Sequence, residues 1–126
     1  LDKELINMET PKVFESEYRF CLILWEHEPV KSSELVQLCK EQLGWKPTTT
    51  YTVIKKIEAK GYIKRTDPGF ICVSLISKKD VCESETQTLI DKLFGGSRKA
   101  LFSALIEDEK LTKDEIDELR KLIYKR

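Results

Sequence analysis

Apolar residues in the first half of the chain recur at helical spacing in three blocks. Phe14, Tyr18, Cys21, Leu22 and Trp25 fall at i, i+4, i+7, i+8 and i+11, which predicts a first helix ending before the turn at Glu28-Pro29. Ser32 or Ser33 is placed to cap a second helix with the stripe Leu35, Leu38, Cys39 and Leu43, closed by Gly44. A third helix runs from about Pro47 to Lys60. Proline in a first turn loses nothing, because its missing N–H would be unpaired there, and Gly61 follows as the stop. Thr50, Val53, Ile54 and Ile57 are the buried stripe of this helix. At about 100° per residue that arrangement turns Thr48, Thr52 and Lys55 to the opposite side, with Tyr51 and Lys56 flanking them.

After Gly61 the period changes. Tyr62 to Thr66, the turn Asp67-Pro68-Gly69, and Phe70 to Leu75 read as strand, tight turn, strand. Three helices followed by a hairpin predict a mainly α fold with a small β-hairpin, a winged helix-turn-helix over residues 8–77. Residues 1–7 carry no pattern and stand outside this argument. From residue 78 to 126 the chain is helical again. A fourth helix from about Asp80 to Phe94 bears Leu89, Ile90, Leu93 and Phe94 and stops at Gly95-Gly96. Ser97 caps a fifth, with Ala100, Leu101, Ala104 and Leu105. Thr112 and Glu115 form a capping box opening the last, with Ile116, Leu119, Leu122 and Ile123. So small a helical unit has too little interior to be stable alone. A dimerisation domain joined by a two-fold axis follows, with Leu89, Leu93, Phe94, Leu101, Leu105, Ile116, Leu119 and Ile123 at its interface. Two recognition helices would then lie roughly 34 Å apart, one DNA turn, on a palindromic site. The other reading folds these helices back on the winged helix of their own chain.

Composition narrows the function. The chain has 126 residues, enough for one compact core plus an appendage. No apolar run approaches membrane-spanning length and no signal peptide is visible, which predicts a cytoplasmic protein with no membrane partner. Cys21, Cys39, Cys72 and Cys82 form no C-x-x-C pair, and the single histidine, His27, has no cysteine at ligand spacing, so neither a metal nor another cofactor is expected. Buried small hydrophobes account better for Cys21, Cys39 and Cys72. There is no Gly-rich phosphate loop, and one histidine completes no nucleophile–base set, so no enzyme is read here.

Charge is informative only by position. The chain totals zero, with 22 Lys and Arg against 22 Asp and Glu. Between Trp45 and Arg65, however, stand Lys46, Lys55, Lys56, Lys60, Lys64 and Arg65 against one acid, Glu58. Short hydroxyls and long cations on one helix face suit a DNA major groove, where hydroxyls and threonine methyls meet base edges and lysines reach phosphates. The expected DNA-binding set is Lys46, Thr48, Thr49, Tyr51, Thr52, Lys55, Lys56, Lys64 and Arg65. Zero net charge and a weakly basic wing support a rival, a winged-helix protein-interaction module that does not bind DNA.

Several motifs, in order and spacing together, resemble one family. They are Glu17 and Trp25, Trp45-x-Pro47-x-Thr49-x-x-Thr52 with Lys56 and Lys60-Gly61, Gly69 in the wing, Leu93-Phe94-x-Gly96-Ser97, and Leu111-Thr112-x-Asp114-Glu115-Ile116-x-Glu118-Leu119. The chain resembles the penicillinase-repressor family of bacterial transcriptional regulators, the BlaI/MecI/CopY group, over residues 13–126. The resemblance implies a dimeric repressor of a double-stranded DNA operator. By position it makes Thr49 and Thr52 the pair at base edges, with Thr48 where a lysine is usual, and gives Lys56 a backbone-facing role. Ala104-Leu105 stands where the family's resistance regulators carry a cleavable Asn-Phe bond. The chain ends Tyr124-Lys125-Arg126, where the copper-responsive branch has a cysteine-rich hook. The wing reads Asp67-Pro68-Gly69-Phe70, where a basic residue usually follows the glycine, and Lys46 replaces a capping serine.

Overall fold

The computed structural model describes residues 11–125. The expected domain start at residue 8, and the setting aside of residues 1–7, fall outside the described residues. Among those described, the chain forms α1 (Glu15–His27), β1 (Val30–Lys31), α2 (Ser32–Leu43), α3 (Pro47–Ala59), β2 (Ile63–Thr66), β3 (Ile71–Ser74), α4 (Lys78–Phe94), α5 (Arg98–Glu107) and α6 (Lys113–Tyr124). The three strands make one antiparallel sheet in the order β1-β3-β2. This is the winged helix-turn-helix fold, followed by helices.

The chain divides into two compact units, one through Glu85 and one from Thr86. In the first, Phe20, Leu24, Leu35, Cys39, Ile54, Ile57 and Cys72 are fully enclosed, so α1, α2, α3 and the sheet close one core. The Thr50, Val53, Ile54, Ile57 stripe of α3 is buried as its spacing predicts.

The stripe of α1 differs from the one expected. Its buried positions are Glu17, Phe20, Cys21, Ile23 and Leu24, while Phe14 is exposed. The run Phe20-Cys21-Leu22-Ile23-Leu24-Trp25 is apolar all round, so periodicity alone could not choose a face. The outer stripe has its own partners. Trp25 donates its indole N–H to the Ile76 carbonyl at 3.1 Å, and Tyr18 meets the Trp25 ring edge-on at 5.9 Å. Tyr18 also brings its hydroxyl to 3.9 Å from Cys82 Sγ. The first turns of α4 thereby pack into the winged-helix unit, where Val81 is buried.

Two further differences concern the start of α2. Neither Ser32 nor Ser33 caps it; Lys31 is the capping residue and offers no side-chain bond. Ser32 is buried and donates its hydroxyl to the Phe70 carbonyl at 2.9 Å. The strand β1 is a third member of the sheet that the sequence did not announce, pairing Val30 with Cys72 and Lys31 with Ile71. Two residues after a proline are too short a run to show alternation.

In the second unit the caps stand as expected. Ser97 Oγ accepts from the Ala100 N–H at 3.0 Å, and Thr112 and Glu115 accept from each other's N–H groups at 3.1 and 2.9 Å. α4 begins at Lys78, two residues before its expected start, because Ser77 and Asp80 form one more capping box.

Candidate nucleic-acid interface

Helix α3 carries the candidate site. Lys46 precedes it in extended backbone, Pro47 occupies its first turn, and Lys60 caps its end. Gly61 turns the chain into the wing with φ of +81°, a left-handed conformation glycine adopts without steric cost. Because the stripe from Thr50 to Ile57 is buried, the remaining positions are fixed outward. Lys46, Thr48, Thr49, Tyr51, Thr52, Lys55 and Lys56 are all exposed, so the face expected from the wheel is present as one surface.

Thr52 is not a free hydroxyl. Its Oγ1 donates to the Thr48 carbonyl at 2.8 Å, one turn back. What it can still present is a lone pair and a methyl group. Thr50 lies on the other side of the helix, its hydroxyl against the buried Cys39 thiol. Burial raises that thiol's pKa, and the Thr50 hydroxyl partly offsets the rise.

The six basic residues of the segment divide into two groups. Lys60 and Arg65 are engaged in pairs. Lys60 Nζ sits 2.7 Å from Glu17 Oε1, 4.6 Å from the Phe14 ring centroid and 5.9 Å from that of Tyr62. Glu17 is almost wholly buried, and its Oε1 also accepts the Phe14 N–H, while its Oε2 finds no partner among the described residues. Arg65 closes a two-bonded fork on Glu58, at 2.8 and 3.1 Å. That fork holds the Glu58 carboxyl below the usual glutamate range and raises the guanidinium pKa further. The reason is strand alternation. Arg65 pairs with buried Cys72 and shares the face of buried Ile63, which turns it back toward α3, whereas Lys64 pairs with Val73 on the other face. Arg65, expected on DNA, therefore braces the wing against α3. Lys46, Lys55, Lys56 and Lys64 have no ion-pair partner among the described residues.

One cation escaped the sequence reading. Lys31, exposed in β1, runs its stem alongside the wing turn, within 3.6 Å of where a Cβ on Gly69 would lie. Without β1 nothing in the sequence placed it near the wing. Among the described residues no cluster of His, Cys, Asp and Glu is placed to hold a metal, and no helix is long and apolar enough to cross a membrane.

Such a surface on such a fold defines a helix-turn-helix regulator, and the comparisons with known proteins agree. The chain matches the penicillinase repressor family over residues 14–125 and belongs to it. It is similar to the methicillin resistance regulatory protein MecI of Staphylococcus aureus strain Mu50, at 28% identity covering 96% of this chain and all of that one. It is also similar to the penicillinase repressor of Bacillus licheniformis, at 20% identity covering 90% of each. A third relative is the penicillinase repressor of Staphylococcus aureus, at 28% identity over 80% of this chain and 82% of that protein. The chain is thus a member of a family of DNA-binding transcriptional repressors, and not an enzyme.

Proposed function

We propose that this chain acts as a homodimer on a palindromic operator, with one α3 in the major groove of each half-site. The observation that carries the reading is the division of α3: four apolar or small residues buried on one side, and on the other a surface of threonines and of lysines that have no ion-pair partner among the described residues. Thr49 and Thr52 are the base-edge candidates. With its proton held by Thr48, Thr52 would meet a thymine methyl or accept from an exocyclic amine. Lys46, Lys55, Lys56 and Lys64 would neutralise phosphates. Residues through Glu85 would form the DNA-binding domain, and the second unit the dimerisation domain.

The second unit supplies the argument for a partner. Leu89, Leu93, Leu105, Ile116 and Ile123 are all exposed in the single chain, with Phe94, Leu101 and Leu119 half-buried. A groove of about 280 Å³ between α5 and α6 is walled by Phe102, Ile106, Ile116, Leu119 and Ile123. So much apolar surface on so small a unit is what an isologous interface would cover.

Selection from a random duplex library tests the proposal. An enriched inverted repeat, with half-site centres about 10 base pairs apart or a multiple of that, is expected. Recovery of no enriched sequence at low salt would favour the protein-interaction module.

A further inference from the structure

The tip of the wing is built around a residue the recognition helix does not account for. Phe70 stands 59% exposed at the end of the turn, with φ of +51°. A bulky aromatic in the left-handed region is an outlier that persists only where its surroundings over-determine it. Here they do. The Phe70 carbonyl accepts from the Ser32 N–H at 3.1 Å, the Ser32 hydroxyl at 2.9 Å and the Cys72 thiol at 3.7 Å. Ser32 is itself buried, so the turn is pinned from the core side. Outside, the Arg65 guanidinium lies 5.8 Å from the Phe70 ring centroid, and Arg65 is forked onto Glu58 of α3. The ring is therefore held in register with the recognition helix. Lys31 runs its stem alongside the same turn and is exposed.

We infer that Phe70 is a DNA-contacting residue, an apolar wedge that the wing places in the minor groove flanking each half-site. This rests on the proposed operator binding. Apolar side chains inserted at a minor-groove step partly unstack it, and the cost depends on the sequence being deformed. A tip whose exposed side chain is an aromatic ring, with Lys31 alongside the turn, fits that groove better than it fits a phosphate row, which would call for cations alone. The contact makes operator recognition depend on base pairs that α3 never touches.

The test uses the full chain, the duplex selected by wild type, and variants of that duplex altered only outside the α3 half-sites. Phe70→Gly removes the ring and relieves the positive φ, so the protein should melt no lower than wild type. Its operator affinity should nevertheless fall about tenfold or more. The slope of log K against log salt should stay unchanged, because an apolar contact releases no counterions. The preference among flanking sequences should vanish, and Phe70→Leu should retain part of it. A Phe70→Gly protein with wild-type affinity and wild-type flank preference would overturn this inference and leave operator binding intact. A wild-type chain that enriches no duplex would overturn both.

Discussion

Threonine 52 and lysine 56 sit one turn apart on the same exposed face and should fail differently when removed. On the proposed operator reading, Thr52→Ala would delete a base-edge contact, and is expected to cost about 1–3 kcal/mol on the selected operator and to relax preference at one base pair. Lys56→Ala should weaken all sequences alike and flatten the salt dependence by about one phosphate contact. Titration of wild type and both variants on matched and mismatched duplexes checks this, and identical profiles would contradict it. Cysteine reactivity offers a second check at this scale. Burial, aided by the charges of Glu17 and Glu28, pushes the Cys21 thiol up to about 12, and burial also raises Cys39 and Cys72. Only Cys82 is exposed. An excess of a charged disulfide reagent at pH 8 should therefore label one thiol quickly and the other three only on unfolding.

At the scale of elements, the wing is tied to α3 by the Glu58–Arg65 fork, and this tie has a pH signature. The hydrogen bond from Arg65 lowers the folded pKa of Glu58. A carboxyl depressed in the folded state contributes stability above its unfolded pKa, about 4.3, and loses it as pH falls through the lower folded value. Glu58→Gln should therefore melt lower than wild type at pH 7, by a small margin because the pair is partly exposed, with the difference disappearing below the ordinary glutamate range. The same elements show what the sequence could reveal. Helix α3 was legible because Thr50, Val53, Ile54 and Ile57 recur on one side at helical spacing and its ends carry Pro47 and Gly61. The capping box at Thr112 was legible because its chemistry is local. What escaped depended on distance along the chain. Arg65 and Lys64 look alike in sequence, and only pairing with Cys72 turns the first inward. Lys60 reads as one more basic residue until Glu17, 43 positions earlier, receives it. Ser32 resembles a cap, but the Phe70 carbonyl, 38 residues on, takes its hydroxyl.

For the whole molecule, the winged-helix unit closes its own core, whereas the unit from Thr86 leaves large apolar residues in water. Ile123 tests whether a partner covers them, since it is 54% exposed in the single chain. Leu119 is less suited, because it is already half-buried in the single chain. In a monomer Ile123→Asp would place a carboxylate in solvent at little cost. Beneath a partner it would bury an unpaired charge and separate the chains. Each half-site would then be held singly, losing an avidity gain of about 10² to 10⁴. The measurement that bears most directly on the account is sedimentation of the full chain, wild type and Ile123→Asp, alone and with the selected duplex. A wild-type dimer is expected in both settings, with two chains per duplex, and an Ile123→Asp monomer that no longer holds the operator. One wild-type chain per duplex, or an Ile123→Asp protein that stays dimeric with undiminished binding, would contradict this expectation.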